Sequence, residues 1–461
     1  MRALSRRELI GGACAGLAFA QARRPWNVLL IAIDDWGASD AGCYGSRYYD
    51  TPNIDRLAAS GMRFTQAYSA CTVCSPSRAA IMTGKYPARL HITDWIAGHP
   101  YPWAKLRPPD WTQHLPLEET TLAERFKTAG YATASVGKWH LGGPEFYPDR
   151  QGFDRNIGGT HAGQPPSYFS PYKISTLSDG PAGEYLTDRE CAEALAFIES
   201  RRERPWFVYL PHHAVHTPLQ ARQALIEKYR RRAGNENVQG NPVYAAMVES
   251  VDESIGRLLA GLDRMRLAER TIIALTSDNG GLLRSTTNLG LRAGKGSAYE
   301  GGVRVPLIVR WPGVARAGST SHVPVMGMDL HPTLLAMAGL QPPNEIDGDD
   351  FSTLLGGART LNRRPLFWHY PHYHPGGATP YGAVRDGNLK LIEFYENDRI
   401  ELYDLATDPE EKSDLAASRT DDAQRLRVRL RRWRHEVGAQ MPLANPNYDP
   451  GRAGQTGRGR T

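Results

Sequence analysis

Two apolar runs in this sequence end in pairs of side chains that carry oxygen ligands. The runs, residues 26–33 and 271–276, are rich in β-branched residues and leucine, which predicts buried strands of a parallel sheet. The pairs that follow are Asp34-Asp35 and, after Ser277, Asp278-Asn279. Buried carboxylates are costly unless a cation neutralises them, and calcium accepts mixed carboxylate and amide ligands better than magnesium does. Turn and cap residues give the same pattern, so the pairs alone leave both interpretations open.

A second group of residues could hold an anion. Lys138 and His140 are two positions apart, so they point to the same side of an extended segment. Lys295 is flanked by two glycines, which allow the backbone to approach a ligand closely. His216 follows the predicted strand 206–210, although two other histidines lie between them. Each of these residues could also be an ordinary loop or structural residue.

A cysteine opens the run Cys-Ser-Pro-Ser-Arg-Ala-Ala-Ile-Met-Thr-Gly at residues 74–84. Pro76 suits the first turn of a helix, so Cys74 should lie at a helix N-terminus. A lone cysteine there is most often buried and inert. The complete run instead resembles the signature of the Cys-type, formylglycine-dependent sulfatases of the alkaline phosphatase superfamily. Residues 130–142, 216–218 and 294–304 resemble further elements of the same family.

The resemblance implies a mechanism and a set of site residues. A maturation enzyme would oxidise Cys74 to formylglycine, whose hydrate is the nucleophile and is activated by one calcium ion. The implied calcium ligands are Asp34, Asp35, Cys74, Asp278 and Asn279. Arg78 would orient the nucleophile, and Lys138 and Lys295 would hold the sulfuryl oxygens. His216, alone or with Lys295, would protonate the leaving oxygen, and His140 would be the base when sulfate is released.

The resemblance covers about residues 26–416 and implies an α/β fold, a large alkaline-phosphatase-like mixed sheet sandwiched by helices. Within it, Thr187 and Glu190 form a predicted capping box, and an apolar stripe predicts a helix over 244–262. A smaller C-terminal antiparallel sheet is predicted from 381–385, 389–394 and 400–405, with a helix at 420–437. The predicted units are a catalytic domain at 23–365, a C-terminal subdomain at 366–440 and a disordered tail at 441–461.

The ends and the charge of the chain bear on location and partners. Residues 1–22 carry Arg6-Arg7 before a short apolar stretch that ends in Ala-Phe-Ala, which resembles a twin-arginine export signal. The stretch is too short for a permanent membrane span, so we expect a protein exported to the bacterial periplasm or beyond. The 461 residues carry a net charge of only +6 without a basic stripe, which argues against a nucleic-acid partner.

The cysteines that remain after the signal do not form a disulfide scaffold. They are Cys43, Cys71, Cys74 and Cys191, so with Cys74 converted at most one bridge is possible. A bridge between Cys43 and Cys71 is the preferred pairing.

Three stretches resemble bacterial glycan-degrading sulfatases more than aryl-specific ones, and so favour a sulfated sugar or polysaccharide as the substrate. The stretches are residues 92–95, 183–189 and 368–374. Their composition suits a carbohydrate, because Trp and Tyr faces pack on sugar rings and His or Asp binds hydroxyl groups. A packed domain junction explains 368–374 equally well. Two other functions remain open: a phosphodiesterase or phosphonate monoester hydrolase of the same superfamily, and a non-catalytic protein that binds sulfated glycans.

Overall fold

A large mixed β-sheet forms the centre of the fold. The computed structural model describes residues 25–232, 239–362, 364–452 and 455. The strands are β1 Asn27–Ile33, β2 Met62–Tyr68, β3 Leu106–Arg107, β4 Ala132–Val136, β5 Arg155–Ile157, β6 Trp206–His212, β7 Thr271–Ser277, β8 Arg304–Arg310, β9 Ser319–Ser321, β10 Val325–Met326, β11 Leu366–Tyr370, β12 Tyr381–Asp386, β13 Leu389–Phe394, β14 Ile400–Asp404 and β15 Leu443–Ala444.

Helices connect the strands and cover the sheet. They are α1 Pro52–Ser60, α2 Cys74–Thr83, α3 Pro87–Leu90, α4 Leu122–Thr128, α5 Leu186–Ser200, α6 Gln223–Arg230, α7 Pro242–Arg264, α8 Glu300–Val303, α9 Leu330–Met337, α10 Ser352–Leu355 and α11 Thr420–Glu436. The strands and helices that the sequence predicts are all present, with ends that differ by one or two residues.

The strand order places the ends of three strands side by side. The order in the large sheet is β10-β2-β8-β7-β1-β6-β4-β5, and β9 also pairs with β2. Strand β1 runs parallel to both of its neighbours, and its last residue, Ile33, pairs with His212 of β6 and with Ser277 of β7. The segments that leave these strands therefore meet at the carboxyl edge of the sheet, where open α/β sheets form their sites.

The two faces of β1 explain the layered packing. Leu29 and Ile31 belong to a core cluster that includes residues of α1, α5 and α7. Val28 and Leu30 point to the opposite face, into a cluster with residues of α2, α4 and α9. A strand that is apolar on both faces is required when helices cover both sides of the sheet. The predicted α/β architecture, a large mixed sheet between helices, is confirmed.

The C-terminal subdomain is a four-stranded antiparallel sheet, β11-β12-β13-β14, with helix α11 packed against it. The helix presents a buried stripe that includes Leu426, Leu430 and Trp433. The Trp433 ring stacks on Phe367 of β11 with the two ring centroids 4.7 Å apart. This small sheet and helix also confirm the sequence prediction.

Three expectations differ from the structure. The predicted disordered tail is wrong for residues 441–452, because β15 pairs with β3 in antiparallel register. The capping box is also wrong: α5 begins at Leu186, and the Glu190 carboxylate binds two histidines instead. The preferred disulfide is absent, since both Cys43 and Cys71 are free thiols.

The expected export signal, residues 1–22, lies outside the described residues. Within the described ranges, no helix combines the length and the apolar character that are needed to cross a bilayer.

Candidate active site

The predicted site residues converge at the carboxyl edge of the sheet. Asp34 and Asp35 follow β1, and Asp278 and Asn279 follow β7. Lys138 and His140 lie in the turn that leaves β4, and His216 lies beyond the end of β6. Cys74 is the first residue of α2, as the Pro76 pattern predicts. The contacts below join these positions, except His140, into one cluster.

Two cations hold the innermost carboxylates of this cluster. Arg78 donates from Nε to Asp278 Oδ2 at 2.9 Å and lies 3.5 Å from Asp34 Oδ1. The Lys138 ammonium lies 2.6 Å from Asp34 Oδ2. All four side chains are fully buried, so each charge depends on its partners for neutralisation. Burial and the nearby Asp34 charge raise the pKa of Asp278.

Asp35 lies at the mouth of the cluster. Its Oδ1 accepts hydrogen bonds from Lys295 Nζ at 2.6 Å and from Asn279 Nδ2 at 2.8 Å, and His216 Nε2 is 3.6 Å from its Oδ2. Burial opposes ionisation of Asp35, but Lys295 and His216 outweigh it and hold the pKa well below its usual range. Burial also lowers the pKa of His216, but the Asp35 carboxylate reverses this and raises it. A charged His216 beside an ionised Asp35 is therefore favoured.

Orphaned oxygen atoms support a cation site here. Asp35 Oδ2 and Asn279 Oδ1 are buried and have no hydrogen-bond partner. Unsatisfied buried oxygens are costly and rare, and a hard cation such as Ca²⁺ would satisfy them. Ligand atoms of Asp34, Asp35, Cys74 and His216 also lie within 4.8 Å of one another. The carboxylate and amide oxygens of Asp34, Asp35 and Asn279 fit calcium. The same group contains His216, which the sequence predicts only as an acid.

Cys74 lies between the two lysines and the carboxylates. Its Sγ atom, which marks the position of the oxygens of a converted residue, is 3.1 Å from Lys295 Nζ and 3.7 Å from Asp34 Oδ1. Burial raises the pKa of the Cys74 thiol, but Lys138 and Lys295 outweigh burial and bring the pKa to about 6. The environment at position 74 thus stabilises negative charge, as a nucleophile requires.

His140 is held in one tautomer. Its Nε2 contacts the carbonyl oxygen of Ile96, which can only accept, so Nε2 carries the proton. Its Nδ1 is buried, has no hydrogen-bond partner and therefore presents a lone pair. Burial and the Lys138 charge lower the pKa of His140 well below its usual range. A neutral imidazole with a free lone pair can accept a proton.

Two features around the site have no signal in the sequence: the backbone contacts of Ile96, and the pairing of two histidines with Glu190. Ile96 acts through its backbone carbonyl, and its N–H donates to Ser75 Oγ at 3.1 Å, which ties this segment to α2. The Nδ1 atoms of His212 and His213 each lie 2.6 Å from a carboxylate oxygen of Glu190, so these nitrogens are not available to the site.

Two stretches with sugar-binding composition contact each other. Tyr370 donates to Asp94 Oδ1 at 2.8 Å, and Thr93 Oγ1 lies 2.8 Å from His372 Nε2. The stretch 368–374 therefore packs against residues 93–94, which agrees with the packed junction that the sequence analysis gives as the alternative to sugar binding.

A profile of the family described as "Sulfatase" matches residues 26–340. The chain belongs to the sulfatase family. A second profile, described as "N-sulphoglucosamine sulphohydrolase, C-terminal", matches residues 294–436 of this sulfatase. The enzyme class that the Cys74 motif predicts is thereby confirmed.

Several sulfatases resemble this one along most of its length. N-acetylgalactosamine-6-sulfatase of Canis lupus familiaris is 37% identical over 397 residues, which cover 79% of this chain and 72% of the relative. Human arylsulfatase A is 34% identical over 463 residues, covering 89% and 86% of the two chains. The crystal structure of Ps i-CgsB superposes with a TM-score of 0.77 at 28% identity, covering 92% and 95% of the two chains. The same protein is known in complex with k-i-k-neocarrahexaose.

Proposed function

We propose that this sulfatase removes sulfate from a sulfated carbohydrate, with a formylglycine derived from Cys74 as the nucleophile. The reaction consumes one water: the S–O bond of R–O–SO₃⁻ breaks, and the products are R–OH, sulfate and a proton. The position of Cys74 at a helix N-terminus, beside Lys295 and the carboxylate cluster, is the observation that carries the proposal. The carbohydrate class is supported by relatives named for N-acetylgalactosamine or bound to neocarrahexaose.

Oxygens of Asp34, Asp35, Asp278 and Asn279 would hold a calcium ion, which when bound supplies charge that activates the nucleophile and neutralises sulfate. Formylglycine supplies an aldehyde that adds water to give the nucleophilic hydroxyl and is later re-formed without external water. Arg78 keeps the inner carboxylates in place through its bonds to Asp278 and Asp34.

Lys138 and Lys295 would bind the sulfuryl oxygens. The Lys138 side chain is fully buried and the Lys295 side chain is 9% exposed, and both ammonium groups lie beside the cluster that contains Cys74. Preorganised donors of this kind contribute about 3–4 kcal/mol each to a charged transition state, compared with about 1 kcal/mol from the N-terminus of α2. The two lysines are therefore the main protein contribution to sulfate binding.

The two histidines divide the proton transfers. His216, charged beside Asp35, donates a proton to the sugar oxygen as it leaves. His140, neutral with its Nδ1 lone pair free, accepts the proton that residue 74 gives up when sulfate departs. The opposite pKa shifts of the two residues support this division.

The test is sulfate release by protein in which conversion of Cys74 has been verified by peptide mass. Cys74→Ala should abolish turnover of 4-nitrophenyl sulfate and of a panel of sulfated sugars without lowering Tm. Cys71→Ala is the matched control, because Cys71 is equally buried but lies outside the cluster. An active Cys74→Ala variant contradicts the proposal, and faster turnover of bis(4-nitrophenyl) phosphate than of sulfate esters supports the phosphodiesterase alternative.

Export is a separate proposal. It is supported by the paired arginines and the apolar stretch of residues 1–22. Fractionation of the native bacterium tests it, because replacing Arg6-Arg7 by Lys-Lys should keep the protein in the cytoplasm if the twin-arginine route is used.

A further inference from the structure

Lys295 lies on the loop between Arg292 and Glu300, which contacts the rest of the protein on two sides. On the side of the large sheet, Lys295 N donates to Gly281 O at 3.1 Å, and Gly296 N donates to Thr72 O at 3.0 Å. On the other side, the residues just before and after the loop contact the C-terminal subdomain. Contacts with the large-sheet region and with the C-terminal subdomain therefore hold the loop that carries the Lys295 ammonium beside Cys74.

A buried charge cluster fastens the end of the loop. Glu300, the first residue of α8, accepts from Lys390 Nζ at 2.9 Å and from Tyr68 Oη at 2.7 Å. Its backbone N–H donates to Glu411 Oε2 at 2.7 Å, and Lys390 Nζ also lies 3.0 Å from Glu411 Oε1. Glu300, Lys390 and Glu411 are at most 1% exposed. One ammonium group thus separates two buried carboxylates.

A second set of contacts fastens the beginning of the loop. The Arg292 guanidinium donates to Tyr403 Oη at 3.0 Å and to Glu411 O at 2.7 Å. It also lies over the ring of Tyr299, 3.8 Å from the centroid. Tyr299 in turn donates to Glu401 Oε2 at 2.7 Å. The same segment of the C-terminal subdomain, around Glu411, therefore contacts both ends of the Lys295 loop.

We propose that Lys390 and Glu411 are positioning residues that set the place of Lys295 at the nucleophile. Without the Lys390 ammonium, the carboxylates of Glu300 and Glu411 repel each other in a buried site, and α8 moves away. Lys295, which lies five residues before Glu300, then shifts with it. This inference rests on the proposed sulfate-binding role of Lys295.

A double-mutant cycle separates positioning from general destabilisation. Lys390→Met is made in the wild type and in a Lys295→Ala background, and kcat for 4-nitrophenyl sulfate is measured at equal formylglycine content, well below Tm. We expect Lys390→Met to lower kcat roughly tenfold in the wild type and to change it less than about twofold in the Lys295→Ala background. Glu411→Gln, which keeps the shape of the side chain, should show the same dependence on background.

The matched control is Glu393→Gln. Glu393 is a buried carboxylate of the same subdomain that pairs with Arg427 and Arg434 of α11. It should leave kcat unchanged in both backgrounds, even where Tm falls. The inference is overturned if Lys390→Met and Glu411→Gln lower kcat by the same factor in both backgrounds, or lower it in neither.

Failure of the proposed function looks different. In that case the wild type releases no sulfate, or Lys295→Ala retains full activity, and the inference falls with it. If Lys390→Met does not fold, Glu411→Gln and Tyr299→Phe carry the same cycle, because the first removes the ion pair with Lys390 and the second removes the hydrogen bond to Glu401, and neither removes a buried cation.

Discussion

The guanidinium group of Arg78 lies 2.8 Å from the carboxylate of Asp278, and both side chains are completely inaccessible to solvent. Arg78 is on α2, four residues after Cys74, whereas Asp278 follows β7. This ion pair therefore joins the helix that begins with Cys74, the proposed nucleophile, to the segment after β7 that contains two proposed calcium ligands.

Removing Arg78 should destabilise the protein strongly. Arg78→Met leaves buried Asp278 without its partner, so we expect a loss of about 3 kcal/mol in the free energy of unfolding, measured with urea in the presence of EDTA. The control is Arg432→Met, which breaks an exposed pair with Glu436 and should cost about 0.5 kcal/mol or less. Equal losses for the two variants would show that the Arg78 pair is not a structural tie.

The unconverted Cys74 thiol should be unusually acidic. Burial is outweighed by Lys138 and Lys295, which bring its pKa to about 6, whereas burial raises the pKa of Cys71 to about 12. In unconverted, metal-free protein, iodoacetamide should label Cys74 with a rate that rises around pH 6 and levels off by pH 8. Cys71, which is buried to the same degree, should stay unlabelled. Peptide mass spectrometry measures both, and Lys295→Met should move the Cys74 profile to higher pH.

Calcium should stabilise the folded protein through Asn279. The orphaned Oδ1 of Asn279 is one of the oxygens available to the ion. At 100 times Kd a bound ion adds about 2.7 kcal/mol to stability, so calcium should raise Tm relative to EDTA. Asn279→Ala should reduce this difference in Tm. Asn53→Ala is the control, since Asn53 binds Asp252 in a separate contact, and it should keep the full calcium effect.

The contribution of His216 should depend on the leaving group. In the proposed mechanism a sugar alkoxide needs a proton from His216, whereas 4-nitrophenolate leaves without one. His216→Ala should therefore lower kcat/KM by about 10²–10⁴-fold for a sulfated sugar and much less for 4-nitrophenyl sulfate. His322→Ala, at an exposed histidine, is the control. A uniform loss on both substrates would assign His216 to metal or sulfate binding instead.

Asp94 should make stability depend on pH. Burial raises its pKa to about 8, so the folded protein keeps a proton that the unfolded chain releases. Stability contributed by this proton is present at low pH and is lost, by up to about 1.4 kcal/mol per pH unit, as pH rises toward 8. Asp94→Asn keeps an oxygen that can accept from Tyr370 and Trp95, so the Tm of the variant relative to the wild type should rise as pH increases from 5 to 8 and then level off. A difference in Tm that does not change with pH would contradict this.

The sequence predicted which residues follow the buried strands, but it did not predict the tertiary contacts of residues elsewhere in the chain. The positions of four residues could be predicted because they directly follow two apolar runs that are typical of buried parallel strands. These residues are Asp34, Asp35, Asp278 and Asn279. The fate of Glu190 could not be predicted, because a tertiary contact with two histidines competes with the local capping pattern. The sequence also could not show that Cys43 and Cys71 stay free thiols, because disulfide formation depends on the distance between backbone positions that are far apart in sequence.

The proton on His140 illustrates the same limit at atomic scale. Its tautomer is set by the carbonyl of Ile96, a group that every residue possesses, so no side-chain pattern could reveal it. The pairing of β15 with β3 is another backbone contact, made by a segment whose composition is typical of disorder.

The burial of Cys74 sets an order of events for the newly made chain. Its side chain is only 2% exposed, and every residue of α2 is buried beneath the sheet and its neighbours. A small reagent can diffuse to such a place, but the catalytic pocket of another protein cannot. The proposed conversion of Cys74 therefore requires that the maturation enzyme acts while the segment around residue 74 is still accessible, before the fold buries it. Folding and activation compete for the same stretch of chain, so a variant that folds faster can yield less active enzyme.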